Sequence, residues 1–416
     1  MMASRRLICA LVIAVAALPA AAKKKDPIVR LTVGPFTIEP GHDREICQAV
    51  RIPNVPGMEV AAYDVRSLIG QGGRVGSHHL IVYGYGGANG AQVPLRKNPR
   101  DVVDVPGCNG FGPDDLFRNR VQLAGSGGEF RRGKWLQTRG STPLGLATLL
   151  PNSLDAPNDA ILVINSHYFN TSSKRGSGFV RIALRLKPYD GKRRVVRNLT
   201  PIDASYDIDV PPGQVRESTG TWQVDGAPDP NGAEGGYRPD KDVCLLLMTT
   251  HTHKRGTHVT ITYEEDGKEP VSLFDPIFYD YIHPSVVALP FRGGVPPRGN
   301  LLRAYTAENG HPRLRYTCTH ANGAAGRAMK MGCEETPGAV PGMRWRDALA
   351  SGLDFGHARP CGIDGANCQG FGTGRCVESN LVFGPLSDDE MCIIPMQVYD
   401  PLPGLPLENA CDPYAF

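Results

Sequence analysis

Five histidines and one methionine stand out for where they fall along the chain: His78-His79, His167, His251-Thr252-His253 and Met391. In an extended segment, residues i and i+2 share a face. His251 and His253 can therefore turn two imidazoles onto one metal ion, and the apolar run Cys244 to Met248 just before them reads as the strand that fixes the pair. His78 and His79 are adjacent, so a regular strand would send them to opposite faces. Both reach one ion only at a strand end or a bulge, and Gly76-Ser77 supplies such an irregular start. His167 lies within Ile161 to Tyr168, where a satisfied core histidine is the commoner reading, and Met391 within Asp389-Glu390-Met391-Cys392 is by default core filler. Taken together they divide into two donor sets. His78, His79 and His167 offer three imidazole nitrogens, while His251, His253 and Met391 offer two nitrogens and a thioether. Imidazole suits copper and zinc, and a thioether favours Cu(I). Zinc more often takes a thiolate or carboxylate as its third ligand. The pattern points to two copper ions per chain, one in each half.

The elements that must hold these residues read as strands. His79–Tyr85, Ala160–Phe169, Phe179–Lys187, Val243–His253 and Thr257–Glu264 are rich in Val, Ile, Leu, Thr and Tyr and are bounded by Gly, Pro, Asn or Asp. Long amphipathic helical periods are nearly absent. With 49 glycines and 36 prolines in 416 residues, a helical bundle is not expected, and at 41% hydrophobic the chain can bury a large core. The expected fold class is all-β, two tandem antiparallel β-sandwiches, 26–190 and 196–416. The turn-rich, charged stretch Pro188 to Arg194 is expected to be a solvated linker between them. Residues 329–380, with Cys333, Cys361, Cys368 and Cys376, read as a disulfide-rich insertion in the second domain. Gly70-Gln71-Gly72-Gly73 opens no helix in a βαβ unit and is read as a turn, not a phosphate loop. A formal net charge of +3 gives no reason to expect a nucleic-acid partner.

Arg5-Arg6, the apolar run Leu7 to Leu18 and Ala20-Ala21-Ala22 make a signal-peptide pattern over 1–22. The run is shorter than the ~20 residues of a spanning helix, so no membrane span is expected after cleavage. The expected location is exported, periplasmic or secreted. Of the 11 cysteines, Cys9 would leave with the signal peptide, and the even number remaining reads as disulfides.

The chain resembles the type II, ascorbate-dependent copper monooxygenases, the family of peptidylglycine α-hydroxylating monooxygenase and dopamine β-monooxygenase. The matching pieces are Ser77-His78-His79-Leu80, His167-Tyr168, His251-Thr252-His253-Lys254-Arg255-Gly256 and Asp389-Glu390-Met391-Cys392, in the family's order. The resemblance runs from about Cys47 to Tyr399, interrupted by the insertion. It implies two jelly-roll sandwiches. It implies an electron-transfer copper on His78, His79 and His167, and an O2-activating copper on His251, His253 and Met391, the catalytic set. A Cys318–Cys392 disulfide follows from the same likeness, with Cys244–Cys411 a further expected pair. The implied activity is hydroxylation of an sp3 C–H of a small-molecule or peptide substrate, using O2 and two one-electron reductions from ascorbate or a similar donor. An exported copper-binding protein without hydroxylase activity is the alternative. A carbohydrate- or protein-binding sandwich would leave the histidine pattern unexplained.

The departures from the family are informative. Leu80 stands where the first motif usually has methionine, the cysteine that follows that motif is missing at Gly84 or Tyr85, and Cys244 replaces a histidine before the His251 pair. The peptide hydroxylase has an arginine and a tyrosine where this chain has Thr249 and Pro395. A substrate carboxylate would lose its clamp, so C-terminal glycine peptides are not expected to be substrates.

Overall fold

A computed structural model describes residues 26–38, 43–69, 75–88, 93, 103–104, 120–127, 135–143, 145–170, 175–227, 239–281, 286–288, 297–323, 380–384, 389–406 and 409–412. The expected signal peptide at 1–22 and residues 329–379 of the expected insertion, with its four cysteines, lie outside these.

The described chain is all-β. Its helical turns are two short 3-10 segments, Asp203–Asp207 and Ala307–Asn309, and among the described residues no helix is long and apolar enough to cross a membrane. The first half forms eight principal strands: β1 Ile28–Ile38, β2 Asp43–Ile52, β3 Met58–Ile69, β4 Val75–Tyr85, β5 Arg120–Gly127, β6 Trp135–Ser141, β7 Ala156–Asn170 and β8 Gly176–Pro188. They build two antiparallel sheets, ordered β1-β8-β3-β6 and β2-β7-β4-β5. Successive strands thus pass back and forth between facing sheets, which is the jelly-roll order.

The second half repeats it. Its strands are β9 Arg197–Leu199, β10 Gln214–Gln223, β11 Val243–Met248, β12 Gly256–Glu264, β13 Val271–Phe274, β14 Val287–Ala288, β15 Pro297–Leu302, β16 Arg313–Asn322 and β17 Met396–Tyr399. One sheet runs β9-β17-β11, with β14 and β15 on different stretches of β11. The other runs β10-β16-β12-β13.

Side-chain alternation explains why these segments are strands. In β8, Val180, Ile182, Leu184 and Leu186 are buried while Arg181 and Arg185 face solvent. The central strand β7 is covered on both faces. Ala160, Leu162 and Ile164 enter the first sandwich's core. Ile161 and Val163 pack on the outer face with Cys47, Ala49, Tyr83 and Tyr85. The second sandwich has its own core, built around Trp222, Val259, Ile261, Tyr316 and Val398.

The stretch between the sandwiches is exposed at Pro188, Asp190, Gly191 and Lys192, as expected, but its two arginines pack back on the sandwiches. Arg193 pairs with Glu59, which is fully buried and also lies 3.0 Å from the Lys187 Nζ. Arg194 stacks on the Tyr399 ring at 4.8 Å and donates to the Ala410 carbonyl at 3.2 Å. Arg194–Val195 also pairs in parallel with Leu146–Ala147. A joint cluster of Leu146, Val196, Cys244, Leu246, Leu301, Tyr399 and Cys411 locks the two halves together. A buried acid at Glu59 requires a cationic partner, and the turn residues of 188–194 bring Arg193 back to supply one.

Candidate metal centre

His79 and His167 face each other in register across β4 and β7. Strand parity puts both on the outer face with Ile161, Val163 and Tyr83, away from the sandwich core. They are nevertheless buried, at 8% and 0% exposure, and their ring centroids are 5.3 Å apart in an edge-to-face arrangement. The register passes from His167↔His79 to Tyr168↔Ser77 and skips His78. His78 is therefore the extra residue of a β-bulge, the irregularity that adjacent ligands need. The His78 side chain lies outside the described residues. Asn165, fully buried two residues before His167, accepts from the His79 Nε2–H at 2.9 Å and donates to the Cys47 Sγ at 3.5 Å. With its proton on Nε2, His79 keeps the Nδ1 lone pair as its donor.

β11 ends at Met248, just before the second pair, and its antiparallel register with β17 continues as an isolated bridge from His251 to Ile393. Three backbone bonds lay the segment against residues 393–395: Thr249 N–H to Pro395 O at 2.9 Å, His251 N–H to Ile393 O at 2.9 Å, and Ile393 N–H to His251 O at 3.1 Å. The turn that follows is held by Glu390, a fully buried carboxylate. It accepts from the His253 and Arg255 backbone N–H groups at 2.9 and 2.5 Å. His320 Nδ1 stands 3.4 Å from the same carboxylate. Gly256 closes the turn. A Cβ there would meet the Thr252 hydroxyl oxygen at 2.2 Å, so no larger residue fits without movement. The His253 Nδ1–H donates to the Asp389 carbonyl at 2.9 Å, which leaves Nε2 as its donor atom. The rings of His251 and His253 are 5.3 Å apart and nearly perpendicular. Thr250 and Thr252 both bond the Tyr279 hydroxyl, at 3.3 and 3.0 Å.

Met391 is 1% exposed and sits between two fixed neighbours, Glu390 and Cys392. Cys392 is disulfide-bonded to Cys318, as expected, and its backbone N–H and carbonyl both bond the Ser205 hydroxyl, at 2.8 and 2.9 Å. The second expected disulfide, Cys244–Cys411, is also present. Cys47 is disulfide-bonded as well.

Four imidazoles of the two donor sets, which were expected as one site in each half, meet at the contact between the sandwiches. The His79 ring is 6.0 Å from that of His251, and the His167 ring 6.4 Å from that of His253. Burial, followed by the neighbouring His79 and His167, pushes the His251 imidazole down to about 3, so it is neutral at ordinary pH, the form that binds metals. Imidazoles with fixed outer partners, as at His79 and His253, suit a copper ion chemically. Among the described residues, however, no group of three or more His, Cys, Asp or Glu side chains is arranged to hold one metal ion. The described imidazoles come as two pairs.

Four residues of the site escaped the sequence reading. Asn165 was signalled by a polar residue at i−2 from His167 in an apolar strand. Glu390 lay inside a quoted motif without an assigned role. Tyr279 and His320 carried no local signal, because only the tertiary fold brings them to the His251 turn.

No family model and no curated protein matches the chain. Similar solved structures include the PBSX exported protein XepA, 7% identical, covering 70% of this chain and 86% of that one at a TM-score of 0.18. The Macrobrachium rosenbergii nodavirus is 10% identical, covering 78% and 92% at 0.18. A putative secreted protein from Parabacteroides distasonis is 6% identical, covering 73% and 85% at 0.17. At such scores these likenesses carry no argument about function.

Proposed function

We propose that the protein is an exported copper monooxygenase that hydroxylates an sp3 C–H of a small-molecule or peptide substrate with O2 and two one-electron reductions from an ascorbate-like donor. The observation that carries the reading is the convergence of His79, His167, His251 and His253, from three separate stretches of sequence, at one contact between the sandwiches. Copper, when bound, would supply O2 activation by cycling between Cu(I) and Cu(II). The protein's part is preparation of the ligands. Asn165 and the Asp389 carbonyl fix the His79 and His253 tautomers, and Glu390 fixes the turn that carries His253. The Cys318–Cys392 bond and Ser205 hold the backbone on which Met391 would offer its thioether. Burial keeps the His251 imidazole neutral.

Thr249 and Pro395, the positions at which the resembling peptide hydroxylase has an arginine and a tyrosine, are hydrogen-bonded neighbours here. Neither offers a charged side chain, which supports a substrate other than a C-terminal glycine peptide. The disulfides favour an oxidising compartment.

The test is O2 uptake by the copper-loaded full chain with ascorbate. Uptake that depends on copper and is lost in His253→Ala is expected. Two coppers bound with no uptake, across a panel of small-molecule and peptide substrates, would reject the monooxygenase in favour of a copper-binding protein.

A further inference from the structure

Resting on the monooxygenase reading above, the surroundings of His251 bear on the class of substrate. Backbone pairing defines the row beside it. Leu247 and Met248 of β11 pair with Ala288 and Val287 of β14 on one side, and with Gln397 and Met396 of β17 on the other. Carried one residue further, the same antiparallel register sets Val286 opposite Thr249, and the Thr249 N–H bonds the Pro395 carbonyl on the far side. Directly opposed residues share a face, as do residues i and i+2. Val286, Thr249 and Pro395 thus form one row on the face that carries His251. None of the three is charged, and Val286 is 62% exposed.

The segment between β13 and β14 continues this apolar border. Ile277 and Phe278, 91% and 90% exposed, are the most exposed large apolar side chains among the described residues. The segment is tied to the histidine stretch at two points. The Tyr279 hydroxyl bonds Thr250 and Thr252, which flank His251, and Val287 pairs with Met248. The exposed apolar residues are therefore fixed beside the candidate ligands, and a clustered apolar surface marks a binding site. Among the described residues of the segment, the charged side chains are Asp275 and Asp280, so a carboxylate would meet charge of its own sign. The cations nearest in sequence, Lys254 and Arg255, belong to the turn beyond His253, at the opposite end of the histidine segment from Thr249.

We infer that the substrate presents an apolar, non-acidic group, alkyl or aryl, to a wall formed by Ile277, Phe278 and Val286. The row of Val286, Thr249 and Pro395 leads that group towards His251. Each methylene that the wall takes out of water adds to affinity in proportion to the area covered, so recognition is graded with chain length.

The test measures binding of straight-chain amides, from butanamide to decanamide, and of the matching carboxylic acids to the copper-loaded full chain by calorimetry. Copper per chain and ascorbate-supported O2 uptake are recorded on the same samples. Affinity is expected to rise roughly two- to fourfold per added methylene, with each acid bound more weakly than the amide of equal length. Phe278→Ser/Val286→Ser alters two exposed side chains and is expected to flatten the rise without changing the copper content. Affinity independent of chain length in the unaltered protein, an equal rise in the variant, or acids bound as tightly as amides would overturn the inference. Copper-dependent O2 uptake in any of those cases would leave the monooxygenase reading standing. A graded rise lost in the variant, with copper bound and no uptake, would uphold the wall as a ligand site and reject the monooxygenase instead. Sedimentation of the same samples covers one other occupant. A dimer of the unaltered chain that dissociates in the variant, with no rise along the amide series, would assign the patch to a second copy and overturn the inference. Should the variant fail to fold, the amide and acid series on the unaltered chain decide the matter alone.

Discussion

His79 and His251 place their rings 6.0 Å apart, edge to face, although one belongs to β4 of the first sandwich and the other to the segment beyond β11 of the second. That spacing depends on how the sandwiches are clamped. Leu146, fully buried, is the first sandwich's contribution to the joint cluster with Val196, Cys244 and Tyr399. Leu146→Ala is expected to cost about 2–5 kcal/mol of stability through the cavity it leaves. It should also weaken copper binding, although Leu146 is no ligand. Denaturant unfolding and a copper titration on the same variant check both. Lost stability with unchanged copper affinity would mean that the cluster does not set the spacing.

Glu390 should matter to the metal without binding it. Its carboxylate accepts two backbone N–H bonds in the turn after His253, and charge-assisted bonds of this kind contribute roughly 1.5–3 kcal/mol each. Glu390→Gln retains one accepting oxygen and turns the other position into a donor facing a donor. The variant is expected to fold with reduced stability and to show a shifted Cu(II) spectrum for copper bound through His251 and His253. The spectrum of copper bound through His79 and His167 should not move. A purely structural Glu390 would lower the melting temperature and leave both spectra unchanged.

The Cys318–Cys392 bond closes a sequence separation of 74 residues, and loops of that size correspond to about 4 kcal/mol in the chain-entropy account. The double variant Cys318→Ser/Cys392→Ser should lose stability on that order and also bind the second copper more weakly, because Cys392 adjoins Met391. Cys244→Ser/Cys411→Ser should lose stability as well. Thermal unfolding with copper analysis separates the two. Equal copper loss in both variants would contradict a specific brace on Met391.

Met391→Ile replaces a thioether by a hydrocarbon of similar volume, a change that typically costs less than about 1.5 kcal/mol. Hydroxylation is expected to be abolished while the first copper stays bound. Full activity in this variant would remove Met391 from the chemistry.

Much of the fold was legible because strand alternation is a local property. The apolar runs around His79, Ala160, Phe179 and Thr257 all fall within strands. The histidines were legible as donors. Their mutual placement was not, since nothing in the spacing of His167 and His251 tells how two sandwiches abut. The same limit hid the pairing of Arg193 with the buried Glu59. It also hid the roles of Tyr279 and His320, which act on the His251 turn from distant strands and loops. The strand expected to reach His253 is regular only to Met248, although Thr249 and His251 keep the register of β11 by bonding to Pro395 and Ile393, the residues that lead into β17.

The copper content of the purified full chain after equilibrium dialysis against Cu(II) tests the central claim most directly. Two coppers per chain, falling to one in His251→Ala/His253→Ala, is the result this account predicts. A chain that retains no copper, or the same copper content in that variant, would contradict it.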